Sequence, residues 1–283
     1  MKLVRLAALL MVVVVSGTAS AQSDTDMAAE REVVTRAVLE YMDGGMAGDA
    51  DRVAAVLHQE FHSARPSSVQ QTGRQFLNSY GITFQIEATR ARGETAGEAD
   101  RDIEITILGV GFDLATVRAV SSASFEYIQL AKIGGEWKII NVLWVPVQTP
   151  GDTGDLSERD QVEAAALDYI DGAYSGDADR MARALASDFN KVVPFTIPAT
   201  GGTLLSHSTV SQLVEGTDAK LMVLDVDQRN INLTIQDADR GIASVWIVSA
   251  MYIDLLQIAK INDEWKIVNV LWLPNPDAPG RGA

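Results

Sequence analysis

The stretch Glu136-Trp137-Lys138-Ile139-Ile140-Asn141-Val142-Leu143-Trp144 returns almost unchanged as Glu264-Trp265-Lys266-Ile267-Val268-Asn269-Val270-Leu271-Trp272. The segment before it, Gln129-Leu130-Ala131-Lys132-Ile133, returns as Gln257-Ile258-Ala259-Lys260-Ile261, an offset of 128 residues. Far upstream, Tyr41-Met42-Asp43-Gly44 and Gly48-Asp49-Ala50-Asp51-Arg52 recur at the same offset as Tyr169-Ile170-Asp171-Gly172 and Gly176-Asp177-Ala178-Asp179-Arg180. Two ends that match at one offset without a gap mark the duplication of a whole domain, and a unit of this length is domain-sized rather than a solenoid repeat. The copies are expected at 28–147 and 158–275. They are joined by a linker at 148–157, where Pro150, Gly151 and Gly154 sit among polar residues.

Working outward from the repeated stretch, the pattern within each copy is helical first and extended later. In the second copy Val162, Ala165, Ala166 and Tyr169 recur at helical spacing, and Asp177 is placed to cap a second helix that turns Met181, Ala184 and Leu185 inward. Phe189, a loop from Pro194 to Gly202 and a third helical stretch from Ser208 to Val214 follow. From Met222 the period becomes two, and β-rich runs over 242–261 and 265–272 break at Asn262-Asp263. Helices followed by an antiparallel meander predict an α+β domain with its helices on one sheet face. The last strand is apolar on both sides. By period two Trp265, Ile267, Asn269 and Leu271 share one face, while Val268, Val270 and Trp272 share the other. Such a strand must be covered twice, which predicts that the two copies pack sheet to sheet as an intramolecular pseudo-dimer.

Composition removes several classes of function. Among 283 residues there are 38 Asp plus Glu against 23 Lys plus Arg, a net charge of −15. Such a chain gains nothing from counterion release on nucleic acid and is repelled by anionic lipid. With no cysteine and only 3 histidines, disulfides, thiolate metal sites and a cysteine nucleophile are excluded. The first 21 residues have the layout of an export signal: Lys2 and Arg5, an apolar run from Leu6 to Val15, then Ala19-Ser20-Ala21 before Gln22. The run is too short to span a bilayer, so a periplasmic or secreted protein is expected, with no membrane attachment once the signal is removed.

The order helix, Gly-Asp turn, helix, Phe, third helix, then strands ending in Glu-Trp-Lys-Ile resembles the nuclear transport factor 2 superfamily. Thr200-Gly201-Gly202, Ala259-Lys260-Ile261 and the run from Trp265 to Trp272 are, more narrowly, similar to its subfamily labelled for lumazine binding. The resemblance covers nearly all of both copies. It implies two tandem cone-shaped domains, each with a curved antiparallel sheet and three helices around an apolar cavity.

Fold does not specify function here, so candidates are weighed residue by residue. Asp49 and Asp177 read as helix caps. His58 and His62, four apart, would form half a metal site on one helix face, but their counterparts are Ala186 and Asn190 and no third ligand is nearby. His207, opposite Ser79 in the other copy, lacks an identified carboxylate to orient it. Asp254 keeps a carboxylate at the position of Glu126. Because no catalytic constellation assembles, and no cofactor or metal is called for, the favoured reading is a non-catalytic binder of a small apolar or aromatic ligand. In the first copy Glu94 to Glu98 replaces the strand-like Met222 to Val226, which predicts a shortened sheet and a degraded first domain. The ligand site is therefore expected in the second domain, lined by Tyr169, Met181, Phe189, Met222, Trp246, Tyr252, Trp265 and Asn269. The alternatives are an isomerase- or dehydratase-like enzyme using Asp254 or His207 with Tyr169, and an interaction module whose cavity is filled by its own side chains.

Overall fold

The computed structural model describes residues 24–151 and 156–278. The proposed signal and part of the linker, 152–155, lie outside the described residues. The first domain runs α1 (Asp24–Ala47), α2 (Ala50–Val56), β1 (Leu57–Ser68), β2 (Gln75–Gly81), α3 (Ile82–Arg92), β3 (Glu104–Gly111), β4 (Leu114–Val120), β5 (Ser124–Ile133) and β6 (Glu136–Pro146). The second repeats it as α4 (Leu156–Ser175), α5 (Ala178–Ala184), β7 (Leu185–Thr196), β8 (Thr203–Ser208), α6 (Val210–Asp218), β9 (Asn232–Asp239), β10 (Ile242–Val248), β11 (Tyr252–Ile261) and β12 (Glu264–Pro274). Both domains are α+β, with six-stranded sheets in the orders β2-β1-β6-β5-β4-β3 and β8-β7-β12-β11-β10-β9.

Three sequence expectations need correction. A hairpin, β7–β8, surrounds the loop expected from Pro194 to Gly202, and β7 pairs parallel with β12 as β1 does with β6, so each sheet is mixed rather than wholly antiparallel. Residues 222–226 form no strand in the second domain, and the first sheet is not shortened: β3 and β9 each have 8 residues. The strand-like apolar run at Met222 lies instead over the helix side, where Met222 and Leu224 pack on the domain core. Third, β12 does not keep period two. The pairing with β11 shifts register between Gln257 and Ile258, so that Asn269 faces Gln257 while Ile267 faces Ile258. This bulge puts Val268 and Asn269 on the same side of the sheet. Trp265, Ile267, Val270 and Trp272 face the helices, and Val268 and Leu271 face the other domain.

Local chemistry explains the helix ends and turns. Asp49 and Asp177 cap α2 and α5, accepting from the amides of Arg52 and Arg180. The repeated Asp and Arg of the upstream motif are structural as well: Arg180 bridges Asp168 and Asp171, and Arg229 reaches the same Asp171. In the first domain Arg52 and Arg101 meet on Asp43. Asn262 and Asp263, with φ of +50° and +66°, make the tight turn between β11 and β12 that twists with its strands.

The sheets pack face to face. Phe125, Tyr127, Leu143 and Val145 of the first domain meet Ile242, Ala259 and Val268 of the second, and Leu114, Ala131 and Ile140 meet Val192, Leu255 and Leu271. The polar contacts are reciprocal: Gln129 Nε2 donates to Leu255 O at 2.8 Å and Gln257 Nε2 to Tyr127 O at 2.6 Å. Equivalent surfaces thus meet each other, as in a two-fold dimer. Among the described residues, no helix is long and apolar enough to cross a membrane.

Candidate functional site

Strand alternation turns Tyr252, Asp254, Leu256 and Ile258 of β11 toward the helices. Trp272 stands opposite Asp254 on β12, and Ser208 of β8 stands opposite Lys191 of β7. From the helix side, α4 contributes Tyr169. Four polar side chains thus converge inside the second domain. Asp254 is fully buried, and its Oδ1 accepts a hydrogen bond from the Tyr169 hydroxyl at 2.9 Å and lies 3.7 Å from Lys191 Nζ. Lys191 Nζ in turn donates to Tyr169 Oη at 2.5 Å. The ammonium sits 5.0 Å from the Tyr169 ring centre, 4.9 Å from Trp272 and 5.8 Å from Tyr252, an aromatic cage for a cation.

Burial lifts the Asp254 carboxyl above the ordinary carboxylate range and lowers the Lys191 ammonium, while their mutual attraction opposes both shifts. Burial and the Asp254 charge push the Tyr169 phenol well up, so it stays a hydrogen-bond donor. Two groups in this interior are left over. Asp254 Oδ2, an acceptor, and Trp272 Nε1, a donor, are buried and have no hydrogen-bond partner among the described residues. An unmet buried polar atom costs about 1–3 kcal/mol, so each invites a ligand.

The first domain shows why Trp272 is free. There, Trp144 Nε1 donates to the Tyr80 hydroxyl at 3.1 Å, and the residue equivalent to Tyr80 in the second domain is Ser208. Exchanging a phenol for a short hydroxyl takes that acceptor away from the tryptophan N–H. A hollow of about 670 Å³ in the second domain is lined by Phe189, Ser208, Thr209, Val210 and Val214 among others; Ser208, opposite Lys191, is in its wall, whereas Tyr169, Lys191, Asp254 and Trp272 are not. A second hollow, about 810 Å³, lies over the first domain, and the two share Asn190 and His207 at the domain junction.

Of the sequence candidates, Tyr169, Tyr252 and Met222 come together at this site, with the Tyr252 hydroxyl 2.9 Å from Met222 Sδ. Phe189 packs on the same core and lines the nearby hollow, and Met181 lies in the core. Trp265 belongs to the same core, but its Nε1 is held by Glu158 at 3.0 Å, at the start of α4. Asn269 and Trp246 lie on the opposite side of the sheet. The bulge turns Asn269 to the domain junction, where its Nδ2 donates to Gln257 Oε1 at 2.7 Å and its Oδ1 lies 2.9 Å from His62 Nδ1. Trp246 alternates with the inward Val245 and Ile247, and its ring packs against the first domain at Gly109.

The histidines fall on strands. His58 and His62 belong to β1, and burial lowers both imidazoles. His207 has a carboxylate after all, supplied by the other domain: its Nε2 lies 2.6 Å from Glu60 Oε2, at the junction and away from Tyr169. Among the described residues, no group of three or more His, Asp or Glu could hold a metal. Lys191, Trp272 and Ser208 are not among the sequence candidates for the site. The available signal is a lysine at the head of the apolar run Lys191-Val192-Val193, just before the loop expected from Pro194.

Two sheets back to back, each with helices on its outer face and one with a polar knot inside, make a tandem of two α+β domains. The chain belongs to the family described as "Putative lumazine-binding", whose model matches residues 29–145 and again 157–273. No curated protein matches it. Among solved structures it is similar to a nuclear transport factor 2-like protein of unknown function from Silicibacter pomeroyi, at 13% identity, covering 42% of this chain and 98% of that one with a TM-score of 0.35. It is also similar to one from Novosphingobium aromaticivorans, at 17% identity, 50% and 97% coverage and a TM-score of 0.32. The association domain of a Caenorhabditis elegans kinase, CaMKII, is similar at 16% identity, 43% and 98% coverage and a TM-score of 0.30.

Proposed function

We propose that this chain is an exported, non-catalytic binding protein whose second domain takes one small, flat ligand. The observation that carries the reading is the unpartnered pair, Asp254 Oδ2 and Trp272 Nε1, set on facing strands inside an aromatic wall. A heteroaromatic compound offering an N–H to the first and a carbonyl to the second satisfies both, and the ligand named in the family description is of this kind. Binding is favoured over turnover because the Tyr169 hydroxyl is committed to Asp254 rather than left to hold a developing oxyanion. Export rests on the layout of residues 1–22.

Native mass spectrometry of the chain from Gln22 onward tests the site. A stoichiometric adduct is expected, lost in Asp254→Asn and kept in Asn269→Leu. An empty protein whose melting temperature is unmoved by a metabolite panel that includes lumazine would overturn the reading in favour of an interaction module. Export is checked by the N-terminus of protein recovered outside the cytoplasm, which should begin at Gln22.

A further inference from the structure

Two chains of amides cross the domain junction, and a backbone carbonyl fixes the polarity of each. In one, Tyr127 O accepts from Gln257 Nε2 at 2.6 Å, Gln257 Oε1 accepts from Asn269 Nδ2 at 2.7 Å, and Asn269 Oδ1 lies 2.9 Å from His62 Nδ1. A carbonyl can only accept, so each amide in turn gives its nitrogen one way and its oxygen the other. Asn269 therefore meets His62 with an oxygen, and His62 Nδ1 must carry a proton. In the other chain Leu255 O accepts from Gln129 Nε2 at 2.8 Å, Gln129 Oε1 from Asn141 Nδ2 at 2.8 Å, and Asn141 Oδ1 from Asn190 Nδ2 at 3.0 Å. His62 and Asn190 are equivalent residues of the two copies. Burial lowers the His62 pKa against the pull of its Asn269 bond, so the imidazole is neutral at neutral pH. Both chains thus end on an acceptor, His62 Nε2 and Asn190 Oδ1, and neither atom has a hydrogen-bond partner among the described residues.

Both residues open on the same space. The hollow of about 810 Å³ has His62 and Asn190 in its wall together with Phe61, Tyr80 and Phe84, and the Tyr80 and Phe84 ring centres are 4.7 Å apart. Phe84 is 59% exposed, an uncovered ring on α3. The charged groups of this wall are Glu60, bonded to His207 of the second domain, and Glu87; among the described residues it holds neither lysine nor arginine, which disfavours an anion. The other hollow draws its wall from the second domain alone, whereas this one is built by both domains. Its size is that of a small-molecule site, with aromatic faces and a few oriented polar atoms.

We propose that this composite hollow binds a small planar aromatic compound through a ring N–H, which donates to His62 Nε2 while the ring lies against Tyr80 and Phe84. Asn190 Oδ1 is a second acceptor, available to a further donor on the same ligand. The site is separate from the interior of the second domain, since none of Tyr169, Lys191, Asp254 and Trp272 is in its wall. Selectivity for a donor is set from the far side of the junction: the Tyr127 carbonyl orients Gln257, Gln257 orients Asn269, and Asn269 holds the tautomer that leaves the Nε2 lone pair facing outward.

Indole, neutral and with a single N–H, is the probe, and N-methylindole is its control. A long-range nitrogen–proton correlation NMR spectrum of the full chain from Gln22 should show His62 with Nδ1 protonated and Nε2 unprotonated at neutral pH. The opposite tautomer, or an imidazolium, would overturn the proposal before any ligand is added. Indole should then shift the His62 Nε2 resonance along a saturable curve, which separates this site from one inside the second domain. N-methylindole should bind about tenfold more weakly, the worth of one hydrogen bond. In calorimetric titrations His62→Leu should abolish indole binding, with its fold checked by circular dichroism. Phe84→Ala, at an exposed position that does not endanger the fold, should weaken indole about two- to tenfold through the lost ring contact. No shift at His62, equal affinity for the two indoles, or unchanged affinity in folded His62→Leu or in Phe84→Ala would overturn the assignment.

Discussion

Lys191 is the residue on which the second domain's interior turns. Its ammonium is held by one carboxylate, one phenol and three rings, with almost no exposure to water. Removing one member of a buried pair strands the other, so Lys191→Met is expected to cost about 3–5 kcal/mol in urea unfolding. Lys191→Met combined with Asp254→Asn should recover a large part of that loss, because no charge is then left unpaired. Glu126 makes the opposite kind of prediction. Its carboxyl is raised by burial to about 7, so the folded chain keeps a proton that the unfolded chain has already released. Stability is then full below the ordinary glutamate range and falls as pH rises through about 7. Glu126→Gln should flatten this decline, gaining about 3 kcal/mol over wild type at pH 8 and little at pH 4, read from melting curves across pH. The aspartates of the repeated motif act at the acid end. Burial raises Asp43, Asp168 and Asp171, but the guanidiniums of their arginine partners outweigh it and hold all three below the usual range. Their contribution is lost as pH falls through those depressed values.

At the scale of the element, the bulge in β12 and its twin in β6 decide which side chains face the domain interior and which meet the other domain. Without it Asn269 would follow Trp265 and Ile267 into the interior. With it, Asn141 and Asn269 join Gln129, Gln257, His62 and Asn190 in a bonded row across the junction. Asn269→Leu leaves Gln257 Oε1 without its donor and should cost about 1–3 kcal/mol of stability while sparing ligand affinity. Thermal unfolding together with a binding titration separates these effects, and a loss of affinity at unchanged stability would contradict the placement. Helix α6 is set by a complete capping box between Thr209 and Gln212, and Thr209→Ala should cost about 1 kcal/mol.

For the whole molecule, the decisive surface is the one the two sheets share. It is apolar, reciprocal and stitched by amides that reach across to backbone carbonyls. A segment spanning 156–278 alone would expose that face. It is expected to sediment as a dimer through the same sheet rather than as a monomer, since the face is already complementary to an equivalent copy. Gly109 marks how closely the sheets approach. A Cβ there would lie 2.7 Å from Gln236 Nε2 and 2.9 Å from the Trp246 ring, so Gly109→Val should separate the domains locally and lower the melting temperature. The arrangement also leaves the outer, helix-covered interiors free to differ, which is where Tyr80 and Ser208, or Ser63 and Lys191, have diverged.

Duplication, helix order, the capping aspartates and the two-sided apolar last strand were legible in the chain because each depends on local spacing or on one segment compared with another. The packing of sheet on sheet also followed, since an apolar strand face must be covered. The inner site was only partly legible: Tyr169, Tyr252 and Asp254 stood out as polar groups in apolar runs, whereas Lys191 lies on β7, between the expected second helix and the expected loop, where no periodicity marked a strand. Tertiary structure alone decided the face of Asn269 and Trp246. A bulge inverts side-chain alternation without leaving a mark in composition, and only the register between β11 and β12 reveals it. It also decided the partnerships of His207 with Glu60 and of His62 with Asn269, which join residues 147 and 207 positions apart. Contacts of that separation arise from how two finished domains dock, and no local pattern encodes them.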